Sequence, residues 1–341
     1  MARIRIEAYS MTAQADKARN LERFLSFMEE SAGRGTTLLL FPELSLTGLP
    51  ATLSMAWPHP ESLQYFHDNA EPVPEGKSVQ TLIEKAKALG LYVCWSMTER
   101  DVDGRFWNTA VLIGPEGFIG KYHKQNLAGT EAFEVEAGSD PCPVFDTPIG
   151  KIGLLVCYDK VFPDVVRRMK LAGAEIILSP TAWPGMDRRL GSLDLMMQYH
   201  RWSGTNRALE NGVILVDANH SSPAGEDRGA EGGHSRIIHP LHGALAETGW
   251  EEAFVGVELD PQAAIAEYYA KLGVTEETHL RKLREAQTRY EKRKRLREIA
   301  AVNVRFYARA GAAFASDAMT ALHARVRTAR AKKRKKASAQ G

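Results

Sequence analysis

With 341 residues, 44% hydrophobic and 25% charged, and a formal net charge of +2, the chain can bury a large core, as one big domain or two ordinary ones. No apolar run approaches the roughly 20 residues of a membrane span. The alternation Arg3-Ile4-Arg5-Ile6-Glu7 suits a first strand and lacks the apolar centre of a signal peptide, so a cytoplasmic protein is expected.

Apolar runs of strand length alternate with segments of helical period, the pattern of an α/β arrangement. Residues 3–10 are predicted as a strand. Residues 16–32 place Leu21, Phe24, Leu25, Phe27 and Met28 at helical spacing before Gly33 and Gly35 end the helix. A strand over 37–41, a helix over 78–89 and strands over 91–98 and 109–113 follow. Pro115-Glu116-Gly117 turns the chain into a hairpin strand over 118–122. Next come a strand over 151–157, a helix over 163–172, a strand over 175–179, a helix over 194–211 and a strand over 213–218. Strands over 234–239 and 254–259 complete the set, and their number favours two stacked sheets over one.

Beyond residue 259 the character changes. Asp260-Pro261 and Thr275-Glu276-Glu277 each open a helix. Residues 261–324 are expected to form a helical extension, packed on its own body or across a dimer. Residues 325–341 hold eight Lys or Arg and no acid, which leaves the rest of the chain at −6. This end is read as a basic, disordered tail, with an anionic partner as the alternative. Neither a GxGxxG nor a Walker pattern occurs.

Three cysteines without a CxxC pair give neither a disulfide framework nor a recognisable zinc site. Cys94 lies inside an apolar strand, as a core thiol would. Cys142 stands between two prolines in a loop. Cys157 is different, because the run Ile152-Gly153-Leu154-Leu155-Val156 delivers it to the acidic turn Tyr158-Asp159. Two other strands end in reactive groups, at Phe41-Pro42-Glu43 and at Tyr122-His123-Lys124. A free thiol is largely protonated at neutral pH and needs a base to become a nucleophile. Glu43 is the candidate base, and Lys124 with the N–H that follows Cys157 is the candidate oxyanion site. Carboxylate, ammonium and thiol together suit acyl transfer.

Phe41-Pro42-Glu43-Leu44 with Thr47-Gly48, Tyr122-His123-Lys124, and Gly153-Leu154-Leu155-Val156-Cys157-Tyr158-Asp159 with Phe162-Pro163 and Arg167 resemble the motifs of the nitrilase, or carbon–nitrogen hydrolase, superfamily. Asn108-Thr109, Ser179-Pro180-Thr181-Ala182-Trp183, Asn219 and Gly233-His234-Ser235 continue the likeness in order, so that it covers roughly residues 3–260. The resemblance implies a four-layer α-β-β-α sandwich over a hydrolase domain of residues 1–260. It also implies Glu43 as base, Lys124 as oxyanion stabiliser and Cys157 as nucleophile, with no cofactor and no metal. Glu131 fits a second glutamate of the family, with Glu134 and Glu136 as rivals. Gln125-Asn126-Leu127 departs from the segment that usually follows the lysine.

True nitrilases of this superfamily resemble Cys-Trp-Glu at the nucleophile, whereas Cys157-Tyr158-Asp159 is similar to amidases and carbamoylases. The expected substrate is therefore a small amide or N-carbamoyl compound, hydrolysed through a cysteine thioester. By position after strand ends, the loop over 49–65 with Trp57, His59 and Tyr65, together with Tyr158 and the stretch from Trp183 to Arg189, should border the pocket. Arg188 or Arg189 is suited to a substrate carboxylate. Self-association is a family-level expectation, while membrane and nucleic-acid partners are not expected. Three other readings stay open: a nitrilase, a metal site at His234, His239 and His242, and a non-enzymatic scaffold that binds anionic partners through the basic tail.

Overall fold

The structure is a computed structural model that describes residues 3–48, 60–129, 131–139, 141–222 and 232–309. In chain order, β1 (Ile4–Ser10), α1 (Lys17–Gly33) and β2 (Leu38–Leu40) are followed by α2 (Pro60–Asn69) and α3 (Lys77–Leu89). An antiparallel run β3 (Tyr92–Arg100), β4 (Phe106–Gly114) and β5 (Gly117–His123) completes the first half. The second half holds β6 (Val144–Thr147), β7 (Gly150–Leu154), α4 (Pro163–Leu171), β8 (Ile176–Thr181), α5 (Leu195–Asn211) and β9 (Ile214–Asn219). It ends with β10 (Arg236–His239), β11 (Gly243–Glu247), β12 (Ala253–Leu259), α6 (Pro261–Leu272) and α7 (Glu276–Arg309).

The strands form two six-stranded sheets, ordered β12-β1-β2-β3-β4-β5 and β11-β10-β9-β8-β7-β6. Each is parallel at its centre, through β1–β2–β3 and β7–β8–β9, and antiparallel towards its edges. The central strands are buried on both faces, which is why Leu38-Leu39-Leu40 reads as a continuous apolar run. Strand periodicity divides such runs between two layers. Leu38, Leu40, Cys94, Ala110 and Leu112 join Ile152, Leu154, Ile176, Leu178, Ile214 and Val216 in a core between the sheets. Leu39, Val93, Trp95 and Val111 instead pack with Phe24 and Met28 of α1 and Val79 and Leu82 of α3. On the opposite side Val165, Val166 and Met169 of α4 cover the second sheet. Gly153 makes that approach close, since a Cβ there would lie 2.9 Å from the Met169 sulfur. The layers are α-β-β-α, as the resemblance implied.

The helix starts follow their caps. Asp16 accepts from the Arg19 N–H, Asp194 from those of Met196 and Met197, and Asp260 from those of Gln262 and Ala263. Two strand expectations are corrected. The strand expected over 151–157 ends at Leu154, because the Val156 N–H turns to the Asp159 carboxylate at 3.1 Å and Cys157 opens a 3-10 turn over Cys157–Val161. The strand expected from residue 234 starts at Arg236, since His234 has φ +59°. Strands β6 and β11 were not legible; both lie at sheet edges and are only partly buried, so no apolar alternation marks them.

The chain divides into two compact units, Met1–Arg284 and Glu285–Gly341. The first contains both sheets and α6, which lies on its own body, with the Tyr268 hydroxyl donating to the Leu209 carbonyl at 2.7 Å. The second is described as far as Arg309, as the remainder of α7. The basic stretch 325–341 lies outside the described residues. No helix among the described residues is long and apolar enough to cross a membrane.

Candidate active site

Glu43 follows β2, Lys124 follows β5 and Cys157 follows β7, and all three are almost wholly buried. The Glu43 carboxylate accepts from Lys124 Nζ at 2.7 Å and Asn108 Nδ2 at 2.7 Å through Oε1, and from the Ala182 N–H at 2.8 Å through Oε2. Lys124 also bonds to Glu131 Oε2 at 2.6 Å, and Asn108 to Glu131 Oε1 at 3.0 Å. The Cys157 thiol lies against the Glu43 carboxylate and the Ala182 N–H. Segments distant in sequence thus bring carboxylate, ammonium and thiol to one place.

The local backbone explains this convergence. The Glu43 N–H donates to the Thr181 carbonyl at 3.2 Å, which ties the end of one sheet's strand to the end of the other's. The His220 ring is hydrogen-bonded to the Glu43 carbonyl through Nε2. Cys157 itself adopts φ +47°, a left-handed conformation that costs a non-glycine residue about 1–2 kcal/mol. Asp159 stabilises the turn: its carboxylate accepts the Val156 N–H, the Tyr122 hydroxyl at 2.9 Å, and the backbone and side-chain N–H groups of Asn126 at 2.8 and 2.9 Å. Asn126, part of the departure from the family pattern, therefore binds the lysine loop to the Cys157 turn.

Charges in the site are strongly shifted. Burial raises the Glu43 carboxyl, but the Lys124 charge and hydrogen bond outweigh it and hold the group below its usual range. Burial opposes the Lys124 ammonium, yet the charges of Glu131 and Glu43 keep its pKa well above the ordinary value. Burial, and then the Glu43 charge, push the Cys157 thiol well up. The resting arrangement is a carboxylate, an ammonium and a neutral thiol. The thiol so held keeps its proton and lies against an ionised carboxylate.

Among the rivals for the second glutamate, Glu131 meets Lys124. Glu134 is buried with Oε1 unpartnered, its carboxyl pushed up to about 7 by burial and by the Glu131 charge. Glu136 is exposed. Tyr158 packs edge-on to Phe162 at 5.3 Å and tilted to Trp183 at 6.3 Å. Trp183 is buried, with its indole N–H on the Met196 carbonyl at 2.9 Å and its backbone N–H on Asn219. The Tyr65 hydroxyl donates to the Thr47 carbonyl. Arg188 is engaged by Glu251, and Arg189 by Asp187. Trp57 and His59 lie outside the described residues.

The histidines do not gather as the metal reading required. His234 pairs with Glu247 at 2.7 Å. His239 and His242 instead meet Glu267, close enough in principle for a cation. However, His239 Nδ1 accepts the N–H groups of Leu241 and His242 at 3.1 and 3.3 Å, which puts the ring proton on Nε2, the nitrogen facing Glu267. A nitrogen carrying its proton is not a ligand.

Sequence reasoning missed Asn108 as a site residue, although its motif was noted. The polar pair Asn108-Thr109 inside a strand that is otherwise apolar was the available signal. It also missed Lys160 and Asp217, which pair with both side chains fully buried.

Residues 5–268 match the family described as Carbon-nitrogen hydrolase. A nitrilase of Pyrococcus abyssi is 32% identical over 244 residues, covering 71% of this chain and 84% of its own. An omega-amidase of Homo sapiens is 28% identical over 273 residues, 76% of this chain and 90% of its own. Among solved structures, Nit3 of Saccharomyces cerevisiae, a member of branch 10 of the nitrilase superfamily, superposes with a TM-score of 0.68 at 23% identity over 81% of this chain and 96% of that one. A Glu-to-Gln variant of the amidase of Nesterenkonia sp. AN1, with the acetamide moiety of fluoroacetamide covalently added at its active-site cysteine, does so with a TM-score of 0.59 at 27% identity over 79% and 95%. With its two buried sheets, its site at their strand ends and this match along most of its length, the chain belongs to the carbon-nitrogen hydrolase family.

Proposed function

We propose that the protein hydrolyses a small amide or N-carbamoyl compound through a thioester on Cys157. The observation that carries this reading is the convergence of the Cys157 thiol and the Ala182 N–H on the Glu43 carboxylate, with Lys124 bonded to that same carboxylate. Glu43 takes the thiol proton as the sulfur bonds to the carbonyl carbon, and the oxyanion that forms is stabilised by Lys124 and the Tyr158 N–H. The C–N bond then breaks as Glu43 returns the proton to the leaving nitrogen. Water attacks the thioester, giving its proton to Glu43, and the C–S bond breaks to release acid and restore the thiol. Glu131 holds Lys124 in place and balances its charge. For a carbamoyl substrate the acid would be a carbamic acid, which falls to carbon dioxide and ammonia or an amine.

The amide branch draws support from Cys157-Tyr158-Asp159 and from the amidase and omega-amidase relatives. The second reading, nitrile hydrolysis, draws support from the Pyrococcus relative. We place the activity in the cytoplasm, where a thiol nucleophile stays reduced, and in the domain ending near residue 260, with the helices beyond it as an extension. We also infer that the protein pairs with a second copy of itself. Leu195, Tyr199, Trp202 and Leu209 fall on one face of α5 and remain 41–65% exposed, an apolar stripe unusual on an isolated protein.

The test is ammonia or amine release from a panel of small amides, N-carbamoyl amino acids and nitriles, by the native protein and its Cys157→Ala variant. Turnover of amides or carbamoyl compounds that vanishes in the variant supports the reading. Turnover of nitriles alone, or activity that survives the substitution, overturns it.

A further inference from the structure

Behind the nucleophile turn lies a second buried cation. Lys160 Nζ donates to Asp217 Oδ1 and Oδ2 at 3.0 and 2.8 Å, to Thr181 Oγ1 at 3.1 Å, and to His200 Nδ1 at 3.0 Å. Lysine, aspartate and histidine side chains here are all fully buried. Four pieces of structure meet at this point: the 3-10 turn of Cys157, β8, β9 and α5.

The acceptor set shows how the cation is held. Asp217 also takes hydrogen bonds from Ser179 Oγ at 3.2 Å and Thr181 Oγ1 at 2.6 Å. Burial raises its carboxyl, but the charges of Lys160 and Arg236 and the Lys160 hydrogen bond outweigh that and keep it far below the ordinary value, so it stays ionised. Burial and the Lys160 charge depress His200, leaving a neutral ring whose Nδ1 accepts from the ammonium. Arg236, the other cation packed against this group, is turned to the carbonyls of His200 and Arg201.

Two links run from this ion pair to the catalytic atoms. Lys160 is three residues from Cys157 in the same turn, and Thr181 precedes Ala182, whose N–H serves both the Glu43 carboxylate and the Cys157 sulfur. The ammonium also lies 5.3 Å from the centroid of the Trp183 ring. We propose that Lys160, seated on Asp217, is a positioning residue for the nucleophile: it fastens the Cys157 turn to β8 and β9. The charged groups facing the sulfur are then Glu43, Lys124 and Lys160. The first disfavours the thiolate and the other two favour it.

This inference rests on Cys157 as the nucleophile, and the experiment separates the two. Alkylation of Cys157 by iodoacetamide near neutral pH is followed by mass spectrometry for the native chain, Lys160→Met, and Lys160→Met with Asp217→Asn, with Cys157→Ser as the blank. The double variant buries no unpaired charge, so it reports even where the single variant folds poorly. Loss of the Lys160 anchor slows alkylation by about tenfold in both variants, and kcat for the accepted substrate falls with little change in KM. A rate in the folded variants that equals or exceeds that of the native chain overturns the proposal, whatever the thermal stability does. Survival of turnover in Cys157→Ser would overturn the nucleophile reading, and alkylation would still report on Lys160.

Discussion

Glu43 and Glu131 share two side-chain donors: Asn108 Nδ2 and Lys124 Nζ each bond to both carboxylates, at distances between 2.6 and 3.0 Å. Two carboxylates and one ammonium leave this cluster with a net negative charge, and the neutral amide of Asn108 holds the acids apart without altering that sum.

Asn108 is therefore expected to matter to rate more than to folding. Asn108→Ala removes one donor from the base and should lower kcat by about 10- to 100-fold. Asn108→Asp sets a third acid against Glu43 and Glu131 and should cost more. Steady-state kinetics on the accepted substrate decide; equal rates for the two variants would show that the charge is irrelevant.

Glu131→Gln removes the charge that does most to raise the Lys124 pKa. The ammonium then releases its proton at lower pH, so the alkaline limb of kcat/KM should move to lower pH, while KM changes less than kcat. A pH–rate profile superimposable on that of the native enzyme would show that Glu131 does not act through Lys124.

Glu134 supplies a stability test. Its carboxyl lies near pH 7 in the folded chain against an ordinary value of 4.5. Between these values the folded chain keeps a proton that the unfolded chain has released, so this group's contribution is present below 4.5 and is lost as pH rises through 7. Glu134→Gln abolishes that loss. Its unfolding free energy, read by urea denaturation, should match the native one near pH 4 and exceed it near pH 8, by on the order of 1–2 kcal/mol after allowance for solvent screening.

Trp202→Glu places a charge on the exposed stripe of α5. If that stripe joins two copies, light scattering will show the native chain as an oligomer and the variant as a smaller species, with secondary structure retained. An unchanged mass would place any self-association on another surface.

Much of this was legible in the chain because the buried central strands are continuous apolar runs and the helices are capped by Asp16, Asp194 and Asp260. Edge strands β6 and β11 were not, because half-exposed strands carry no strong pattern. Within the site, Glu43, Lys124 and Cys157 stood out as polar groups at the ends of apolar runs. The bonding of Lys124 to Glu131, with Glu134 and Glu136 elsewhere, is a matter of how a short 3-10 turn over Glu131–Phe133 orients neighbouring side chains, which spacing alone did not resolve. Lys160 and Asp217 are 57 residues apart, and nothing local to either predicts that they meet.

Cys157 occupies a backbone conformation in which glycine would be more comfortable. With Cys157 as the proposed nucleophile, selection for durability and selection for chemistry pull this position in opposite directions. In a lineage released from the need for catalysis, the sulfur would be among the first features to erode, while the surrounding layers, which gain nothing from it, would persist.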